Sequence, residues 1–220
     1  MRIKGVIFDL DGTLADTLPD LGAAMNRMLC QFGFPQRSMP QHQSAICYGA
    51  REFVLRSLPE NKRDDATVNC ALAAYRTYYG KAFTVQTRPY GGISELLAAL
   101  CRCGIAVAVY SNKPMAQTKQ VVAHYFGDIP FVSVVGHQEG TPVKPDPTAA
   151  LGIAEKMGLS PLEIAFVGDS DVDMQTACRA GMQPVGVLWG YRDADTLKTG
   201  GACRLVDTPR QLLTVLTEGL

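Results

Sequence analysis

Net charge is what this chain lacks first: its 21 Lys and Arg are balanced by 21 Asp and Glu over 220 residues. A balanced chain sets up no long-range field toward nucleic acid or an anionic membrane, so neither is expected as a partner. Any cation that acts on a ligand must therefore be placed locally. Long apolar runs are missing too. No stretch reaches the length of a transmembrane helix, and MRIKGVIFDLDG at the N-terminus puts acids where a secretory signal needs a longer apolar region. A cytoplasmic location is the expectation. Histidine is scarce: His42, His124 and His137 lie outside every motif and read as surface or loop residues, which leaves a histidine nucleophile without support. The seven cysteines show no zinc or thioredoxin-like spacing, and Cys101 and Cys103 sit two apart on a predicted helix, facing different ways. They read as small buried or half-buried thiols in a reducing compartment.

What is present is an alternation of short apolar runs and helical stretches. IKGVIF (3–8), IAVAVY (105–110), FVSVV (131–135), IAFVG (164–168) and PVGVL (184–188) are apolar nearly throughout. Such runs suit strands buried on both faces, as in a parallel sheet flanked by helices. Helices are predicted between them at 92–103, 114–126, 147–158 and 172–181, and a last one at 209–218. Gly104, Gly158 and Gly181 fall where helix C-caps belong. The expected fold is α/β, a doubly wound, Rossmann-like parallel sheet with right-handed crossovers.

One segment breaks the alternation. From Asp16 to about Phe83 there is helical periodicity and no strand. Leu18, Leu21, Met25, Met28, Leu29 and Phe32 share one helical face, and Thr17 with Asp20 has the spacing of a capping box. Further helices are expected over 39–46, 50–58 and 64–81. The domain expectation is a core of residues 1–15 and 86–220 with an inserted helical cap of 16–85, hinged near 12–17 and 84–90. The methionines read as the core of that bundle.

In open α/β sheets the reactive groups gather beyond the carboxyl ends of the strands. The first strand delivers Asp9, Asp11, Gly12 and Thr13, and the strand at 105–110 delivers Ser111, Asn112 and Lys113. Lys144 follows the strand at 131–135, and Gly168, Asp169, Ser170, Asp171 and Asp173 follow the strand at 164–167. Carboxylates, a hydroxyl–amide pair and a lysine are the inventory of phosphoryl transfer. Carboxylates can hold Mg²⁺, one left free can attack phosphorus, and the other groups can neutralise the transferring oxygens.

DLDGTLADT (9–17), YSNKP (110–114), VKPDP (143–147) and GDSDVD (168–173) together resemble the signatures of the haloacid dehalogenase superfamily of phosphohydrolases, in the family's order. The resemblance implies Asp9 as nucleophile and Asp11 as general acid, then general base. It implies Mg²⁺ held by the Asp9 and Asp169 carboxylates and the Asp11 backbone carbonyl, with Asp173 either ordering metal-bound water or serving as a first-turn helix charge. Asp171 falls into the second class. Ser111 and Lys144 would bind phosphate, with Asn112 and Gly12 offering amide or backbone donors, while Lys113 is expected to be exposed.

The position of the insert resembles the family's small helical cap, and ADTLPDL (15–21), GAREFVLRSLP (49–59), YGGISELLAAL (90–100) and VGVLWGYRD (185–193) are similar to phosphoglycolate phosphatases. Leu21 stands where related phosphomutases carry a cap histidine, Asp11 is the acid that dehalogenases lack, and the first cap helix has no Schiff-base lysine, Lys62 being the cap's only one before 64. Cys47 departs from the pattern, which puts glycine there. Arg51 is either a contact for a substrate's second anionic group or a solvated helix arginine. The expectation is an Mg²⁺-dependent phosphatase acting on a small phosphorylated metabolite, as a monomer or homodimer. A pyrophosphatase or nucleotidase, a sugar-phosphate phosphatase or mutase, and a non-catalytic phosphate-binding protein are the alternatives.

Overall fold

The computed structural model describes residues 2–219. The chain opens with β1 (Gly5–Phe8) and a short β2 (Ala15–Asp16), then runs through four helices, α1 (Leu18–Gln31), α2 (Met39–Ala45), α3 (Ala50–Ser57) and α4 (Asp65–Ala82). It returns by β3 (Arg88–Pro89) to α5 (Ile93–Arg102), β4 (Ala106–Pro114), α6 (Met115–Phe126), β5 (Ser133–His137) and α7 (Thr148–Met157). The last part comprises β6 (Ile164–Gly168), α8 (Asp171–Ala180), β7 (Gln183–Val187), α9 (Ala194–Gly200), β8 (Arg204–Val206) and α10 (Pro209–Glu218).

Six strands form one sheet in the order β5-β4-β1-β6-β7-β8, every pair parallel. Counted within the sheet this is the doubly wound order, built outward from β1 in both directions. The strands alternate strictly. Val6, Phe8, Val107, Val109, Ala165 and Val167 pack on one face with α5 and α10 residues such as Leu97 and Leu212. Ile7, Ala108, Tyr110, Ile164 and Phe166 pack on the other with Ala150, Ile153 and Ala177. Both faces are covered, which is why each strand reads as an unbroken apolar run.

The four helices between β2 and β3 bury their own cluster, with Met25, Met28, Leu29, Val54 and Val68 fully inside and Phe53, Tyr75 and Tyr79 nearly so. The two connections pair as a short antiparallel ladder, Ala15 with Pro89 and Asp16 with Arg88. The Thr17–Asp20 capping box does not form. Thr17 donates its hydroxyl to Asp11, and Asp20 accepts from the Gln86 and Thr87 N–H groups and the Thr87 hydroxyl at 2.8–3.0 Å. Tertiary donors outcompete the local cap, and Asp20 becomes a clasp between the outgoing and returning chains.

Three further expectations change. His42 is fully buried in the helical insert, its Nε2 3.1 Å from Asn26 Oδ1, rather than on a surface or loop. The cysteines are free, and five of them, Cys30, Cys70, Cys103, Cys178 and Cys203, are exposed rather than buried. β8 and α9 were not anticipated; α9 starts where Asp193 accepts from the Thr196 N–H at 2.8 Å. Gly104, Gly158 and Gly181 carry the positive φ of C-terminal helix stops, at 72°, 65° and 70°. No helix among the described residues is long and apolar enough to cross a membrane.

Candidate active site

The doubly wound order opens a crevice beside β1 at the carboxyl ends of the strands, and the acids collect there. Asp9 follows β1, Asp169 follows β6, and Asp173 lies in the first turn of α8; their carboxylate oxygens lie within 4.8 Å of one another and all three are buried. Lys144, buried in the loop after β5, donates to both Asp9 and Asp173 at 2.6 Å. Asp169 is held from behind by the Thr13 hydroxyl at 3.0 Å and the Tyr191 N–H at 2.8 Å. The backbone makes room for it: a Cβ on Gly12, whose φ is +91°, or on Gly190 would collide with the Asp169 side chain.

Three carboxylates against one ammonium leave the pocket short of positive charge. Burial, together with repulsion from Asp173 and Asp11 and despite Lys144, pushes Asp9 up to about 7. Burial and the charges of Asp173 and Asp9 push Asp169 well above the ordinary carboxylate range. Burial alone would lower Lys144, but Asp173 and Asp9 more than offset it and hold it above the usual lysine range. An all-oxygen, buried and under-neutralised set of this kind fits a hard divalent cation. The Asp11 carboxylate stands apart from this cluster: its Oδ1 accepts from the Thr17 hydroxyl at 2.6 Å and from Lys113 Nζ at 2.7 Å.

Lys113 is thus not the exposed residue that its sequence suggested. It is 5 % exposed, paired with Asp11, and sits 4.6 Å from the centre of the Tyr79 ring on α4. Ser111 is buried and accepts from the Lys113 N–H at 3.2 Å, which leaves its own O–H to donate. Gly12 and Asn112 do less for a ligand than expected. The Gly12 N–H donates to the Ala15 carbonyl at 2.9 Å, closing the turn after β1. The Asn112 side chain is committed to bracing: it accepts from the Lys144 N–H at 2.8 Å and donates to the carbonyls of Lys144 and Cys47. Arg51 points elsewhere, its guanidinium on Asp65 at the surface of the insert. Asp171 keeps a helix-terminus role and also accepts from the Tyr48 hydroxyl at 3.3 Å.

A cavity of about 60 Å³ lies over the acids, between the strand ends and the insert. Asp9, Asp11, Ser111 and Lys144 line its floor, and Leu21, Ile46, Phe53, Tyr75, Arg76 and Tyr79 line its upper wall. Cys47 lines it as well, with φ of +92°, the one positive value outside glycine among the described residues. A left-handed backbone there accounts for the glycine expected at this position.

Residues 189–192, after β7, tie the floor to the helical insert. Trp189 Nε1 donates to the Thr13 carbonyl at 3.0 Å, and the Tyr191 hydroxyl accepts from the Thr17 and Leu18 N–H groups at 3.1 Å. Arg192 donates to the Gln43 and Ile46 carbonyls of the insert. The signal for this joint in the residues is an aromatic–Gly–aromatic–Arg run straight after a strand, a pattern that local spacing alone does not tie to the site.

Comparison with known proteins agrees with this geometry. The family model for haloacid dehalogenase-like hydrolases matches residues 6–187, and the chain belongs to that family. Relatives that match most of the chain include phosphatases. It is 33% identical to the phosphoglycolate phosphatase of Pseudomonas putida over 94% of this chain and 78% of that one. It is 32% identical to the N-acetylmuramic acid 6-phosphate phosphatase of Pseudomonas aeruginosa over 100% of this chain and 97% of the relative. A crystal structure from Lactobacillus delbrueckii subsp. bulgaricus, whose phosphoglycolate phosphatase name is provisional, superposes with a TM-score of 0.92 at 28% identity, covering 99% of each chain.

Proposed function

We propose that this phosphatase is Mg²⁺-dependent and hydrolyses a small phosphomonoester, phosphoglycolate-like, through an aspartyl-phosphate on Asp9. The observation that carries the reading is the buried floor: Asp9 2.6 Å from Lys144, Asp11 two residues on, and Ser111 on the adjacent strand end, all lining one cavity. The relatives' names support the substrate class. Glycolate and N-acetylmuramic acid are both carboxylic acids, and each relative removes a phosphate from one.

The steps follow from the residues. An Asp9 carboxylate oxygen attacks phosphorus, the bond to the alkoxide breaks, and Asp11 gives its proton to that alkoxide. Lys144 and the Ser111 hydroxyl neutralise and hold the transferring oxygens. Asp11 then takes a proton from water as the water oxygen attacks phosphorus, the Asp9–phosphorus bond breaks, and phosphate leaves. Asp9 and Asp169, with Asp173 beside them and the Asp11 carbonyl, would hold Mg²⁺, whose charge relieves the repulsion between carboxylate and phosphate.

Phosphate release from phosphoglycolate, sugar phosphates, nucleotides, pyrophosphate and an aryl phosphate, with and without Mg²⁺, tests the reading. Asp9→Asn should cut turnover by ~10³-fold or more. Near-wild-type activity in that variant would overturn the nucleophile. Asp11→Ala should lose more rate on alkyl than on aryl esters, because poor leaving groups need the proton.

A further inference from the structure

Three cations line the cavity, and two are committed. Lys144 is shared by Asp9 and Asp173, and Lys113 is paired with Asp11. The third, Arg76 on α4, has no ion-pair or hydrogen-bond partner among the described residues. An exposed helix arginine is ordinarily just solvated, but a second, independent feature lies beside this one. Tyr79 is one turn further along α4, on the same helical face, and lines the same cavity. Its hydroxyl is buried and has no hydrogen-bond partner among the described residues, while the residue is only 3 % exposed. Folded proteins leave few buried hydroxyls unpaired, so this one, carried by a residue that lines the cavity, is a donor available to a ligand atom that reaches it.

The rest of the upper wall, Leu21, Ile46, Phe53 and Tyr75, is mostly hydrocarbon and aromatic ring. The floor, with Asp9, Ser111 and Lys144, takes the phosphate. The non-phosphate end of a substrate held there would face the upper wall, to which α4 contributes Tyr75, Arg76 and Tyr79. We propose that Arg76 and Tyr79 form a recognition subsite for a carboxylate at the non-phosphate end of the substrate. The inference rests on the phosphatase reading above and goes beyond it by assigning the specificity residues. The guanidinium offers a planar fork of N–H donors that matches a carboxylate, and the phenol adds one O–H donor. Arg51, the cap arginine first considered for this task, is engaged by Asp65 instead.

The test compares 2-phosphoglycolate with 2-hydroxyethyl phosphate, which replaces the carboxylate by a neutral alcohol. The wild type should prefer the carboxylated ester. Arg76→Ala should shrink that preference, as a ratio of kcat/KM values, by ~10- to 100-fold, mainly through KM. Arg76→Lys should recover part of it, and Tyr79→Phe should shrink it by about 3- to 10-fold. An unchanged ratio, or equal losses on both esters, would overturn the subsite, the second result marking a structural role only. Calorimetric titration of wild type and Arg76→Ala with phosphoglycolate and with ethyl phosphate reads the subsite without turnover. If no ester is hydrolysed, the phosphatase reading fails by itself; a carboxylate preference in binding that Arg76→Ala abolishes would still support the subsite, and no such preference would overturn it.

Discussion

Around β1, β5 and β6 the α/β core buries four charged side chains together, Asp9, Asp169, Asp173 and Lys144, with two acids driven toward their neutral forms. The helical insert buries a methionine and aromatic cluster, and its titratable resident, His42, is held neutral: burial, reinforced by Arg37, lowers it to about 4. One region gathers its buried charges at a single cluster, and the other buries the Asp20 carboxylate only at its joint and packs its centre with uncharged side chains. An insert built for packing needs no such charges, whereas the repulsion in the floor is what a metal and a phosphate would relieve under the proposed function.

The contrast can be broken most severely at Lys144. Lys144→Met leaves three buried carboxylates without their cation, and unfolding free energy in urea without metal should fall by about 3–5 kcal/mol. Lys113→Met should cost less, because its partner Asp11 is 15 % exposed at the side chain. Equal losses from the two would put the two lysines on the same footing and break the contrast.

Next comes the joint between the regions. Asp20→Ala strips the acceptor from the Gln86 and Thr87 donors and should cost about 1–3 kcal/mol. A change of a few tenths would mean that the β2–β3 ladder alone sets the hinge.

The two regions should also answer oppositely to pH. Asp9 rises from 3.8 to about 7 on folding, so its stabilising contribution is present below about pH 4 and lost as pH climbs through 7. His42 falls from 6.5 to about 4, so its contribution is present above pH 6.5 and lost as pH drops toward 4. Thermal melts should show Mg²⁺ raising Tm more at about pH 8 than at about pH 5, with His42→Gln softening the acid-side loss. Equal Mg²⁺ shifts at both pH values would contradict the core half of this pair.

Cys47→Gly is the smallest expected effect. It relieves a left-handed backbone but loses side-chain packing, so a net gain below about 1 kcal/mol is expected in the same urea assay. A clear loss would mean that the Cys47 side chain matters more than its backbone angle.

The parts that were readable in the residues are those with local causes. β6 at 164–168 and α10 at 209–218 coincide with their expected bounds, since an unbroken apolar run, a Pro start and a Thr cap all act within a few residues. The four strand-end motifs converge because a parallel sheet brings those ends together, whatever the helices do. What escaped depends on distant partners. Lys113 looks like any charged residue beside a turn until α4 folds over it, and His42 and Asp20 are defined by Asn26 and Thr87 respectively. The short edge strand β8, three residues long, has too little pattern to announce itself.

Residues 189–192 join Asp169 to the insert within four positions: the Tyr191 N–H is on the Asp169 carboxylate, and Arg192 grips the carbonyls that end α2. Floor and lid are then bound by thermodynamic reciprocity. A ligand at the acid cluster that favours one setting of this loop would bias the insert by the same free energy, and any shift of the insert that favours that setting would tighten the cluster's hold by an equal factor.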